Sequence, residues 1–238
     1  MVVQATLSAE QIEAFYHDEF VDDQVRDFCA MLGDDRDGKV VVDVGGGCGF
    51  FAKRLAETAG ERTRVIDMDP RSIDECRRSG VDGRVGDALS PGVEGDEGVV
   101  TFNLILHHLI GASEKETRQL QLSALRPWEG KVKYVFVNEY IYQSWIKNLS
   151  GRLIYEITSS RILSFFGSVA AKFIPAFKAN TFGVGVRFRS HDEWCRIFSE
   201  AGYRVVDRRI GQPEAISPPL RVLMIRTIRR DSFVLVPA

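Results

Sequence analysis

The sequence is poor in the features that mark several protein classes. Its four cysteines stand far apart, at positions 29, 48, 76 and 195, with no C-x-x-C pair. That spacing argues against a disulfide scaffold and a zinc site and fits a reducing compartment, so a cytoplasmic setting and no metal are expected. No apolar run approaches the length needed to span a bilayer. The opening MVVQATLSAEQIEAF lacks a basic segment leading into an apolar block, so no secretory leader is expected. Neither sign of charge dominates: 31 Lys and Arg against 33 Asp and Glu leave a formal net charge of −2, which gives no general pull toward nucleic acid or an anionic membrane. There is no internal repeat and no low-complexity segment. What remains is a chain of 238 residues, 45% hydrophobic and 27% charged, the profile of one large globular domain or of one domain with an insertion.

Strand and helix signals alternate through the first part of the chain. Ser8 to Leu32 reads as a helix opened by a Ser8–Gln11 capping box and ended by Gly33. Lys39 to Val44, rich in valine, reads as a buried strand, and Phe50 to Thr58 as the helix after it. Thr63 to Asp67 is a second strand. Asp69-Pro70, an N-cap and a first-turn proline, opens a helix through Arg78. Val81 to Val85 and Gly98 to Phe102 are strands three and four. Ser113 with Glu116 caps a helix ending near Leu125, and "VKYVFV" is strand five. Alternation of this kind predicts a parallel sheet covered on both faces. From Ser144 to about Ala179 no strand signal appears and the run is helical and apolar. Ser190 with Glu193 caps a helix to about Ala201. Tyr203 to Ile210 and Arg221 to Ile228 then read as two strands able to pair antiparallel, because no helix separates them.

The stretch "VVDVGGGCGF" carries the strongest chemical signal: an apolar strand, an acid at its end, then four glycines within five residues. Glycine weakens regular structure, so such a cluster has a local reason, and the usual one is a ligand that must approach the main chain. A strand passing through a glycine turn into a helix is a binding crevice of an open α/β sheet. The dinucleotide fingerprint G-x-G-x-x-G would need a third glycine at position 50, which is Phe50. The spacing is instead Asp43-x-Gly45-x-Gly47-x-Gly49.

This D-x-G-x-G-x-G pattern resembles motif I of the class I S-adenosylmethionine-dependent methyltransferases. Further stations resemble the same family in order: "RVIDMDP" at the end of strand two, "VGDALS" at the adenine station, "VVTFNLILHHL" at motif IV, and "RFRSHDEWCRIFSEAGY" before the last strands. The resemblance implies a Rossmann-like three-layer α/β/α sandwich. Its sheet would be seven-stranded and mostly parallel, with an antiparallel last strand and a helical cap inserted after strand five. It implies an N-terminal helical lid (1–36), a cofactor-binding core (37–140), a helical substrate cap (141–189) and a completion of the core (190–238). The implied cofactor is S-adenosylmethionine and the product S-adenosylhomocysteine. Asp67 would grip the ribose diol with its two acceptor oxygens, and Asp87 would accept from the adenine amino group, with Met68 and Ala88 beside them. Gly45, Gly46, Gly47 and Gly49 would let the main chain pass close to the ligand. The helix N-terminus at Phe50 would favour its carboxylate. Asp43 would hold the turn, reach the ammonium through water, or both, and Asn103 would orient an acceptor or hold the amine.

Methyl transfer from a sulfonium is an in-line displacement, in which positioning and exclusion of water do most of the catalysis and a base is needed only for a protonated acceptor. Groups at the carboxyl ends of strands four and five are placed for this: His107, His108 and Glu139 as catalytic candidates, Phe102 and Tyr140 as walls of the acceptor pocket. Consecutive helical residues point about 100° apart, so at most one histidine faces the site. Tyr16 and Phe20, with His17, would close over the cofactor from the N-terminal helix, and Tyr155 would face the acceptor from the insertion. His191 falls inside the Ser190–Glu193 box, which predicts a surface role. Between Ser144 and Arg189, seven basic residues (Lys147, Arg152, Arg161, Lys172, Lys178, Arg187 and Arg189) face Glu156 alone, which predicts a solvated basic face. Membrane contact through 144–178 is the rarer alternative, and a homodimer is another use of the apolar side. The reading is a methyltransferase acting on O, N or C of a small apolar or aromatic molecule, with no nucleic-acid partner. Its rivals are a methyltransferase for a lipid or protein docked on the insertion, and a protein that binds the cofactor without methylating.

Overall fold

The computed structural model describes residues 20–33, 38–160 and 185–238. Seven strands form one sheet: β1 (Val40–Val44), β2 (Thr63–Asp67), β3 (Asp82–Val85), β4 (Glu97–Asn103), β5 (Tyr134–Ser144), β6 (Tyr203–Arg209) and β7 (Ile225–Pro237). Their order is β3-β2-β1-β4-β5-β7-β6. Strands β1 to β5 pair in parallel, and β7 runs antiparallel to both β5 and β6. The helices are α1 (Val21–Leu32), α2 (Phe50–Ala59), α3 (Pro70–Arg78), α4 (Glu114–Leu125), α5 (Leu149–Ser159), α6 (His191–Glu200) and the short α7 (Pro218–Arg221).

The three layers follow from strand alternation. Successive side chains of a strand point to opposite faces, so Val40, Val42 and Val44 of β1 face one way and Val41 the other. Val42 and Val44 join Val100, Phe102, Val135 and Val137 in a core sealed by Leu120 of α4 and by Trp194 and Phe198 of α6. Val41, Val99, Phe136 and Val234 meet Val25 and Phe28 of α1 and Phe51 and Leu55 of α2 on the opposite side. Burying a side chain of this size stabilises by roughly 1.5–3 kcal/mol, so both faces contribute to one cooperative unit.

Several capping signals hold. Asp69 accepts from the Ser72 N–H at 3.1 Å, and the Ser190–Glu193 box is reciprocal. Ser113 accepts from Glu116, but the Glu116 carboxylate takes the Ala112 N–H in place of that of Ser113. Strand five runs far beyond Val137 to Ser144, because β7 pairs with it along its whole length. The last strand starts at Ile225 and extends through "DSFVLV", beyond the stretch expected for it. The expected helix start at Ser8 and most of the cap, 161–184, lie outside the described residues, while Leu149–Ser159 is helical as expected. Among the described residues no helix is long and apolar enough to cross a membrane.

The solvated basic face is corrected for two of its members. Arg187 and Arg189 are buried, at 0% and 1% exposure. Arg187 pairs with Glu114 at 2.8 Å and Glu193 at 2.9 Å, and Arg189 pairs with Glu114 at 2.9 Å and donates to the Gln121 side-chain Oε1 at 2.7 Å. A buried guanidinium is tolerated only when carboxylates meet it, and here the two partners come from helices distant in sequence.

Candidate active site

The sheet order reverses direction between β1 and β4: the chain passes outward to β2 and β3 on one side, and to β5 on the other. A crevice opens at the carboxyl ends of such a strand pair, and both the glycine turn and the HHL turn emerge there.

Asp43, at the end of β1, is 1% exposed. Its Oδ1 accepts from the Thr101 hydroxyl at 2.7 Å and from the Asn103 amide at 3.0 Å. Thr101 and Asn103 are two residues apart on β4, so alternation brings both to Asp43 and turns Phe102 away. Phe102 is 0% exposed in the opposite core, which corrects its expected place in the acceptor pocket. Two acceptors in this cluster are buried without a partner: Asp43 Oδ2 and Asn103 Oδ1. Burial raises the Asp43 carboxyl from 3.8 to about 6, partly offset by the Thr101 and Asn103 bonds, with the Asp67 charge adding to the rise.

The four glycines divide their tasks. A Cβ at Gly45 would strike Ile105, one at Gly46 would strike the Asp43 carboxylate, and one at Gly49 would strike the Cys76 sulfur, so these three make room for the protein itself. Gly47 alone of the four faces open space, with φ +54° and nothing within 4 Å of a Cβ. Its N–H donates to Asp67 Oδ2 at 3.0 Å, while the Asp69 N–H takes Oδ1 at 2.9 Å. Burial, helped by the Asp69 charge, raises the Asp67 pKa against N–H bonds from Asp69, Gly47 and Met68. With the Met68 N–H as a third donor, the Asp67 carboxylate keeps acceptor capacity for one further donor. Met68 beside it is 48% exposed. Helix α2 then begins with no side-chain cap and no acid in its first turn, so its first N–H groups retain their positive end for a ligand. Asp87 is exposed and accepts from the Leu89 N–H at 2.9 Å, a turn-capping role, and Ala88 is half-buried against the core.

At the end of β4 the chain turns sharply through Leu104, at φ +56°, into the short 3-10 helix Leu106–His108. Glu139 of β5 is 0% exposed and organises this turn. Its Oε1 accepts from the Leu106 N–H at 2.7 Å, and its Oε2 lies 2.7 Å from His107 Nδ1. A carboxylate oxygen accepts, so in this contact Nδ1–H is the donor. Burial and the neighbouring His107 push the His108 pKa well below the usual imidazole value. Tyr140 and Phe188 flank His107, with ring centroids at 6.0 and 4.8 Å. Phe20 reaches Tyr140 edge-on at 6.3 Å.

Of the other expected contacts, Tyr16 and His17 lie outside the described residues. Tyr155 is corrected: it is buried, and its hydroxyl donates to the Gly111 carbonyl at 3.1 Å, a tie between α5 and the core. His191 is likewise not a surface group. It is buried, lies 2.7 Å from Asp231 Oδ2, and its pKa is raised to about 9 by Asp231 first and Cys195 second. Thr101 and Phe188 were missed. The period of two in "TFN" was the available signal for Thr101; nothing local marks Phe188.

The fold is one that solved methyltransferases share. No protein-family model and no curated protein matches the sequence. Solved structures match it in shape. The MccD protein is 12% identical with a TM-score of 0.62, over 90% of this chain and 96% of that one. Magnesium protoporphyrin IX methyltransferase (ChlM) from Synechocystis PCC 6803, solved with bound SAH, is 13% identical with a TM-score of 0.54, over 99% and 90%. Geranyl diphosphate C-methyltransferase from Streptomyces coelicolor A3(2), solved with Mg2+, geranyl diphosphate and S-adenosyl-L-homocysteine, is 12% identical with a TM-score of 0.56, over 100% and 91%.

Proposed function

We propose that this protein is an S-adenosylmethionine-dependent methyltransferase for a small molecule. The observation that carries the reading is the pair of buried acceptors without a partner, Asp43 Oδ2 and Asn103 Oδ1, at the ends of the two strands from which the glycine turn and the HHL turn emerge. Buried acceptors without donors are costly, and an ammonium is the group that satisfies both. An amino-acid moiety fits the rest of the crevice: its carboxylate faces the uncapped start of α2. A nucleoside fits beyond it, with the ribose diol on the remaining acceptor capacity of Asp67 and the base near Met68, Asp87 and Ala88. When bound, S-adenosylmethionine supplies an electrophilic methyl group.

His107 supports the choice of acceptor atom. With Nδ1 held by Glu139, its Nε2 takes a proton from an acceptor approaching across Tyr140 and Phe188. A base is needed for a hydroxyl, and less so for a neutral amine, so we favour oxygen and assign Glu139 the task of fixing the tautomer. His108, held neutral, serves as a wall. A lipid or protein acceptor is the second reading, favoured by exposed Trp145, Ile146 and Val222, at 69%, 55% and 79% exposure.

Titration calorimetry with S-adenosylhomocysteine is the direct test. Saturable binding with one site per chain is expected. Absence of heat and of any thermal shift at millimolar ligand defeats the reading. Binding without release of S-adenosylhomocysteine from S-adenosylmethionine across acceptor panels favours a non-methylating protein.

A further inference from the structure

A carboxylate bonded to one imidazole nitrogen sets the tautomer, while small tilts of the ring about its Cα–Cβ and Cβ–Cγ bonds are limited by what packs on its faces. His108 lies against the His107 ring at 4.1 Å and Phe188 at 4.8 Å, and of the two Phe188 comes from a distant segment. The segment Arg187-Phe188-Arg189 runs extended past the HHL turn. The Arg187 N–H donates to the His107 carbonyl at 2.9 Å, and the Tyr142 N–H donates to the Arg189 carbonyl at 3.0 Å. Alternation along an extended segment turns the two arginines inward together and Phe188 to the opposite side. Both guanidinium groups are anchored in the buried network with Glu114 and Glu193. Arg189 also bonds Gln121, whose amide donates to the Leu106 carbonyl at 3.0 Å, so the network grips the same turn from below. Gly151 of α5 lies so close to the Phe188 carbonyl that a Cβ there would collide with it. The backbone of Phe188 is therefore fixed from three elements. Its ring lies 4.8 Å from His107 at 31° and stacks on Tyr142 at 4.2 Å and 10°.

We infer that Phe188 is a positioning residue for His107: set between two buried arginines and backed by Tyr142, it limits the tilt of the imidazole plane beside the crevice. The inference rests on the proposed role of His107 for its catalytic meaning, but the contact is tested without any acceptor. It links the chain returning from the insertion to the candidate base, so a disturbance at the insertion's exit is felt at His107.

The test is solution NMR on protein with labelled histidines, in wild type, Phe188→Leu and Phe188→Tyr. In wild type the His107 ring is expected to give one narrow set of signals with Nδ1 protonated. In Phe188→Leu the Nδ1 proton is retained, while the ring signals broaden by about two-fold or more as the plane begins to exchange on the microsecond-to-millisecond scale. Phe188→Tyr restores narrow lines. Should Phe188→Leu not fold, Tyr142→Leu, which removes the backing ring, carries the same expectation. Equally narrow His107 lines in the folded leucine variant overturn the inference. S-adenosylhomocysteine affinity in Phe188→Leu is expected to stay within about two-fold of wild type, since Phe188 touches none of the proposed cofactor groups. Loss of cofactor binding in wild type would defeat the methyltransferase reading and leave the NMR outcome to judge Phe188 independently.

Discussion

Asp43 is held under two opposed influences: burial favours its protonated form, and a bound ammonium would favour the ionised one. Its carboxyl is raised from 3.8 to about 6, so in the ligand-free protein the folded state binds the proton more tightly than the unfolded chain. Its contribution to stability is present at low pH and is lost as pH rises through about 6. An ammonium beside it reverses the preference. Calorimetry of S-adenosylmethionine at pH near 6 is therefore expected to show proton release, seen as a dependence on buffer ionisation heat, and Asp43→Asn should abolish it. Buffer-independent heats in wild type would remove Asp43 from the cofactor site. His191 gives the opposite case of a group stabilised in its charged form. Its pKa is raised to about 9 by Asp231 and Cys195, so its contribution is fully present below about 6.5 and fades as pH climbs through 9. His191→Gln should lose about 2–3 kcal/mol in urea unfolding at pH 6 and almost nothing at pH 10. A loss independent of pH would mean that packing on Phe233, not charge, is what His191 supplies.

At the scale of elements, the glycine turn shows how one loop serves two purposes. Gly45, Gly46 and Gly49 allow close approach of Ile105, Asp43 and Cys76, and so belong to packing. Gly47 differs: among the described residues a Cβ there would meet nothing within 4 Å, and the proposed cofactor reading places the ligand on that side. Gly47→Ala is expected to fold, at a loss of roughly 1–2 kcal/mol for a side chain in the left-handed region. Its affinity for S-adenosylhomocysteine should fall by at least about tenfold, which corresponds to 1.4 kcal/mol. Thermal unfolding and calorimetry on the same sample separate the two effects. Wild-type affinity in the folded variant would put the ligand elsewhere.

For the molecule as a whole, the junction between the parallel half of the sheet and its antiparallel edge is held by charge as well as apolar packing. Glu139 and Asp231 face each other across β5 and β7, and each holds a histidine, His107 and His191 respectively. Alongside them the Arg187–Arg189 network ties α4 to α6 and to the chain leaving the insertion. Arg187→Met strands Glu193 and Glu114 against a vacated charge and should cost about 3–5 kcal/mol in urea unfolding. A loss below about 1 kcal/mol would show that the network is replaceable by apolar packing.

The sequence alone determined everything that depends on neighbours along the chain. The valine run, the caps at Asp69, Ser113 and Ser190, and the glycine turn are local signals, and β1, α3, α4 and α6 begin where those signals place them. The spacing of Asp43, Gly45, Gly47 and Gly49 marked the crevice for the same reason: a turn is a local object. The tertiary structure decided what depends on pairing between distant segments. Strand β5 extends to Ser144 only because β7 covers it, and no local pattern announces a partner some ninety residues away. Arg187 and Arg189 read as solvated because their carboxylates lie on α4 and α6, and His191 read as a surface cap because Asp231 lies across the fold. Phe188 acquires its meaning from His107 in the same way. A side chain's propensity is written in its own chemistry, but its burial, its charge state and its partner are set by whatever the fold brings against it.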